Sequence, residues 1–201
     1  MNKLIYNRLE GIDSKVLSGD GLHSMLIGFS KEKSTDKLLR NLRIQRKVAK
    51  LFNNYFYILD NDEQIGKYYK YSIIEQIALV LNKSKTRWHI GLNSAIQNAD
   101  LKNHKQVLNK IIIITDQFSK KLKILGTQVI FKKQKNYSDI GINRIISKNR
   151  IKINTADLER TYLDFLYFKQ NPEINISELN QTKLKRYKKD YPKINWGKYN
   201  E

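Results

Sequence analysis

The sequence predicts an α+β chain: an N-terminal winged helix-turn-helix over residues 1–65, followed over 66–201 by a mixed α/β domain with a small β-sheet packed by helices. Three observations predict it. Residues 16–59 read as a short helix, a tight turn, a second helix and a two-stranded wing. Residues 110–115 and 127–131 are short runs rich in β-branched side chains, the composition of strands. Residues 73–81 and 158–166 repeat apolar side chains at helical spacing.

The elements follow in order. Leu4, Ile5 and Leu9 predict an opening helix, and residues 11–14 a loop. Ser18 is placed to cap the helix bearing Leu22, Met25 and Leu26, because its hydroxyl can accept an orphan backbone N–H. Gly28 breaks that helix. Ser30 is read as the cap of the next, whose Leu38, Leu39 and Leu42 face inward. Residues 47–52 and 55–59 form the wing around Asn53-Asn54, a pair that tolerates the positive φ of a two-residue hairpin turn. Residues 60–66, acidic, polar and ending in Gly66, are read as the linker between domains. Ser72-Ile73-Ile74-Glu75 is a capping box before the apolar run Ile77, Ala78, Val80 and Leu81. Residues 88–96 read as a short extended entry into a helix, with Asn93 as one possible cap. Residues 110–115, 122–125 and 127–131 are predicted strands, the last two broken by Gly126. Residues 150–154 alternate as a half-buried strand should. Asn154 or Thr155 then caps a helix with Leu158, Tyr162, Phe165 and Leu166 on one face. A short helical stretch near Ser177 and a basic helix over 183–189 complete the reading.

Composition narrows the function classes. The net charge of +19 over 201 residues attracts polyanions, of which nucleic acid is the usual one. Residues 102–153 hold 13 basic side chains against 2 acidic, and residues 31–50 hold 8 against 2. The second helix and wing are therefore locally basic, while most of the excess lies beyond them. With no cysteine there is neither a disulfide nor a thiolate metal site. No signal-peptide pattern and no window of the roughly 18 apolar residues that a membrane span requires are visible, so a cytoplasmic protein without membrane contact is expected. His23, His89 and His104 lack metal-ligand spacing and are read as surface or packing residues, with no metal or cofactor implied. Asp116 follows a strand as nuclease carboxylates do, but no Glu-x-Lys strand accompanies it, and Ser94 has no evident activating base. No catalytic residue is assigned, and the chain is not expected to be an enzyme.

The candidate contacts are cationic and amide side chains. On the second helix, Lys31, Lys33, Ser34, Lys37, Arg40, Asn41 and Arg43 are placed to reach DNA. Lys and Ser would hold phosphates, whereas Arg pairs bidentately with guanine and Asn with adenine. Lys50, Asn53 and Asn54 belong at or near the wing tip. A secondary basic surface is read from Lys132, Lys133, Lys135, Arg144, Lys148, Arg150 and Lys152, and from Lys183, Lys185, Arg186, Lys188 and Lys189, with Tyr187 available to stack. Alternation along strands keeps the first set from sharing one face entirely. Asp157, Arg160 and Asp164 stand three and four apart, so they can pair along a helix face in a structural role.

Residues 88–95 (Trp-His-Ile-Gly-Leu-Asn-Ser-Ala), the strands over 110–115 and 126–131, and the run Ile153-Asn154-Thr155-Ala156-Asp157-Leu158-Glu159-Arg160-Thr161-Tyr162-Leu163-Asp164 resemble, in order, the C-terminal domain of the AbiEi antitoxin family. With the winged helix before them, the resemblance covers roughly residues 16–168. It implies a transcriptional regulator serving as the antitoxin of a type IV toxin–antitoxin pair. In that family the winged helix binds repeats in the protein's own promoter and represses it. The partner is a nucleotidyltransferase-like toxin, which the C-terminal domain helps neutralise. Read from the residues alone, the alternative is an RNA-binding accessory protein, acting on tRNA, without sequence-specific DNA binding.

Overall fold

The computed structural model describes residues 9, 11, 14–27, 34–99, 109–172, 174–192 and 194. Ser30, Lys31, Lys33 and the opening residues Leu4 and Ile5 lie outside them, as does His104. The chain divides into two compact units, residues 1–80 and 81–201.

The first unit is a winged helix. Strand β1 (Val16–Ser18) leads directly into helix α1 (Gly19–Leu26), where the Ser18 side chain accepts from the Gly21 N–H at 3.1 Å. Helix α2 (Thr35–Ile44) follows, then β2 (Val48–Lys50) and β3 (Tyr55–Ile58). The strands form a sheet in the order β1-β3-β2, antiparallel throughout. Leu9, Leu22, Leu26, Leu38, Leu39, Leu42, Val48, Phe56 and Ile58 bury one core, so the inward stripes expected of both helices meet the wing.

Where a linker is expected at 60–66, the chain forms helix α3 (Asn61–Gly66). The Asp60 carboxylate accepts from the Glu63 N–H and the Glu63 carboxylate from the Asp60 N–H, a reciprocal cap that satisfies two orphan donors. Glu63 is fully buried. It also accepts from Tyr57 Oη at 2.5 Å, Lys15 Nζ at 2.9 Å and the Lys70 N–H at 2.7 Å. Acidic composition alone does not separate a linker from a capped helix whose carboxylates have partners. Helix α4 (Ile73–Lys83) carries the expected capping box: the Ser72 N–H donates to Glu75 at 2.7 Å and the Glu75 N–H to Ser72 Oγ at 3.3 Å. The boundary between units falls within α4, after Val80.

The second unit is built on a six-stranded mixed sheet in the order β6-β7-β5-β4-β9-β8. Its elements are β4 (Trp88–Ile90), α5 (Asn93–Ala99), β5 (Lys110–Thr115), β6 (Lys120–Ile124), β7 (Thr127–Lys133), β8 (Ile142–Ile146), β9 (Lys152–Ala156), α6 (Leu158–Tyr167), a 3-10 turn (Ile176–Glu178) and α7 (Gln181–Lys188). Strand β5 runs parallel to β7 and antiparallel to β4, with Ile113 level with Phe131 and Ile90. One sheet face, through Ile112 and Ile114, packs against Leu163, Leu166, Leu184 and Tyr191.

Several expected boundaries shift. Asn93 is the first residue of α5 rather than its cap, and the preceding turn passes through Leu92 at φ 54°. The strand read at 150–154 is β9 at 152–156, because it pairs with β8, a strand of mixed polarity that alternation did not reveal. Helix α6 is therefore capped not by Asn154 or Thr155 but by Asp157, whose carboxylate accepts from the Arg160 N–H at 2.9 Å. Leu158, expected on the buried face, is 37% exposed.

Candidate nucleic-acid interface

The interface begins with how α2 ends. The Lys47 N–H donates to Leu42 O at 2.8 Å and the Arg46 N–H to Arg43 O at 3.0 Å, the paired bonds of a Schellman turn. Arg46 occupies the left-handed position at φ 52°. This turn reverses the chain from α2 into β2. At the far end of the hairpin, Asn53 (φ 49°) and Asn54 (φ 58°) form the two-residue turn expected of them, closed by the Tyr55 N–H donating to Phe52 O at 2.9 Å. The Gly19 N–H donates to Asn54 O at 2.7 Å and ties the wing tip to the start of α1. Lys47 Nζ reaches the side chain of Gln64, so the base of the wing is tied to α3.

With Leu38, Leu39 and Leu42 inward, the opposite side of α2 presents Lys37, Arg40, Asn41 and Ile44 at one helical spacing, flanked by Arg43. Lys37, Arg40 and Arg43 are exposed, and Asn41 is half-buried. Ser34, rather than the expected Ser30, is the N-cap residue of α2; it is exposed and without a side-chain capping bond. Lys50, Asn53 and Asn54 are exposed on the wing. The sequence reading missed two residues here. Arg46 is exposed between helix and wing, and Ile44, 71% exposed, is an apolar group suited to a thymine methyl. Helical spacing from Arg40 would have found Ile44.

The secondary basic residues do not form one surface. Lys132 is half-buried with Nζ 4.6 Å from the Phe168 ring centroid, whereas Lys133 lies on the opposite sheet face. Burial, and then the charge of Lys110, push the Lys132 ammonium below its ordinary range. Lys135 is exposed after β7. Arg144 and Lys152 are exposed on β8 and β9, and Lys148 and Arg150 on the turn joining them, at the sheet edge farthest from β6. On α7, Lys185 and Arg186 are exposed, as is Lys189 just beyond it, while Lys188 is half-buried. Lys183 sits 3.5 Å from Asp157 and 3.6 Å from Glu159, which raise its pKa and occupy its charge. Tyr187 is not available to stack: it is buried and its hydroxyl donates to Asp157 at 2.9 Å.

His89 is a packing residue, one of the two roles expected of the histidines, and it sits in a buried polar network. It is fully buried, with Nε2 2.8 Å from Asp164 Oδ2 and Nδ1 2.9 Å from Tyr137 Oη. A carboxylate only accepts, so Nε2 carries the proton and Tyr137 donates to Nδ1. Burial holds the His89 pKa below its ordinary value against the opposing pull of Asp164. Asp164 also accepts from Tyr191 Oη at 2.5 Å and pairs with Arg160 Nε at 3.5 Å. Arg160 donates onward to Ser138 O at 2.6 Å, Ile140 O at 2.7 Å and Gln134 Oε1 at 3.0 Å. Asp157 thus caps the helix while Arg160 and Asp164 pair, the structural role expected of this motif. Asp116 pairs with Arg87 at 3.1 Å. Among the described residues, no group of three or more His, Asp or Glu is placed to hold a metal ion, and no helix is long and apolar enough to cross a membrane.

The fold is that of a winged helix followed by a helix-packed mixed sheet. Among solved structures, the crystal structure of RV2827C protein from Mycobacterium tuberculosis is similar, with a TM-score of 0.53 at 10% sequence identity, over 91% of this chain and 69% of that one. At that identity the likeness concerns the fold alone. No family model matches the chain. No curated protein matches it either.

Proposed function

We propose that this chain is the antitoxin of a toxin–antitoxin pair: it binds promoter DNA through its winged helix, represses transcription of its own operon, and opposes a nucleotidyltransferase-like toxin through its C-terminal domain. The observation that carries the DNA-binding part is the outward face of α2. Lys37 and Arg40 stand on the side opposite the leucine core, with Arg43 at its flank, next to a wing whose turn exposes Asn53 and Asn54. Such a helix enters the major groove while the hairpin lies along the backbone. The antitoxin part rests on the resemblance of residues 88–164 to AbiEi-like domains, and a repressor of its own operon would work in the cytoplasm.

Gel-shift titration with duplex from upstream of its own gene tests the first part. Wild type should prefer that duplex over a scrambled one, and Arg40→Ala/Arg43→Ala should make the log–log salt slope shallower by about 1.8. Equal competition by every duplex would remove sequence-specific repression. Rescue of growth on co-expression with the neighbouring gene tests the second part. A tRNA-binding accessory role is the alternative, favoured by the cations concentrated in residues 102–153. Preference for tRNA over the upstream duplex at matched salt would select it.

A further inference from the structure

The pairing register of β5, β6 and β7 gathers lysines that the sequence scatters. Lys123 and Lys110 flank Gln128 from either side, and Lys121 is level with Ile130. Paired residues point to the same side of a sheet, and residues two apart on a strand share it. Lys110, Lys121, Lys123 and Lys132 therefore lie on one face, with Gln128 and Ile130 between them. Lys110, Lys121 and Lys123 are exposed, while Gln128, Ile130 and Lys132 are half-buried. Ile112 and Ile114 continue the same face under the helical layer, so the lysine strip is the part that layer leaves open. Across β5, β6 and β7 no acidic residue occurs at all. The charge of Lys110 contributes to depressing Lys132, a sign that these cations repel one another within the fold.

We propose that this strip binds a single strand of nucleic acid, with phosphates on Lys110, Lys121 and Lys123 and bases laid over Gln128 and Ile130. The proposal goes beyond promoter binding and uses a different unit of the chain. Lys121 and Lys123 are separated by ~7 Å along the strand, and Lys123 and Lys110 by ~10 Å across the sheet. A duplex resting on an open sheet face touches it with backbone only and leaves the amide and the isoleucine unused. A single strand presents phosphates and base faces together, and the Gln128 amide can meet a base edge.

The test is fluorescence anisotropy with the whole chain and a labelled oligouridylate of about 15 nucleotides. Wild type should bind at low salt. Lys121→Gln/Lys123→Gln should bind about tenfold more weakly, with a salt slope shallower by about 1.4. Lys121→Arg/Lys123→Arg should restore binding, and the unfolding midpoint of the Gln pair should not fall, since it relieves repulsion. Lys67→Gln/Lys85→Gln, which removes the same charge from exposed positions elsewhere, should change affinity less than twofold. Failure of wild type to bind, an equal loss in the Lys67/Lys85 pair, or equally tight binding of a duplex that depends on the same lysines would each overturn the proposal. None of these outcomes bears on whether α2 recognises promoter DNA.

Discussion

Asp164 shows how much one side chain can organise. Fully buried, it pairs with Arg160 on its own helix and joins that helix to two segments far away in sequence, through His89 on β4 and Tyr191 beyond α7. A buried charge is tolerable only when paired and hydrogen-bonded, and removing one partner strands the other. Asp164→Ala should therefore cost about 3–5 kcal/mol, read as a lowered denaturation midpoint with the first unit's transition unchanged. His89 adds a pH dependence. Its folded pKa is depressed, so its contribution is intact above the unfolded value near 6.5 and is lost as pH falls through the folded one. Stability of the second unit should decline below about pH 6.5, by at most about 1.4 kcal/mol per pH unit from this group. His89→Asn should flatten the curve in that range. A profile equally steep in the variant would assign the acid sensitivity elsewhere.

Elements carry the next set of consequences. Arg46 holds a left-handed conformation at the end of α2, where glycine is the unstrained choice. Arg46→Gly should stabilise the winged helix by about 1 kcal/mol, since an L side chain pays roughly 1–2 kcal/mol there. The same variant should bind DNA more weakly if the guanidinium reaches a phosphate. Legibility followed the range of the deciding interaction. The Ser18 cap, the Asn53-Asn54 turn, the Ser72 capping box and the 110–115 strand were readable because each is settled within a few residues. The reading of 60–66 failed because Lys15, Tyr57 and Lys70 hold α3 from outside the segment. Strand β8 escaped because Ile142, Asn143, Arg144, Ile145 and Ile146 form an edge strand with no clean alternation. At the candidate interface, Lys37, Arg40 and Arg43 were legible from their spacing against the leucines. The Lys110–Lys121–Lys123 strip was not, because only the register of three strands assembles it.

At the scale of the whole molecule, charge dominates. A net +19 repels itself in the compact state, and no disulfide or described metal cluster offsets it. Added salt should therefore raise the unfolding midpoint by a few degrees up to about 0.2 M, where the Debye length falls below ~8 Å. A midpoint that falls with salt over this range would mean that the ion pairs around Asp60 outweigh the repulsion. Among the described residues of the first unit, that cluster joins Lys15 and Lys70 to Asp60, Asp62 and Glu63. Burial pulls the Asp60 carboxyl upward, yet hydrogen bonds from Lys15 and Lys70 hold it well below the ordinary carboxylate range.

The wiring of Asp164 also sets an order of events in the cell. A nascent chain leaves the ribosome from its N-terminus, so β4, the remaining strands and α6 emerge before Tyr191 does. Until that phenol arrives, one oxygen of the central carboxylate lacks its donor, and Ile112 and Ile114 lack part of their cover. Maturation of this domain is thus deferred until the segment carrying Tyr191 has emerged. A stalled or prematurely terminated product would present an incompletely covered core, which is the state that chaperones and proteases are built to detect.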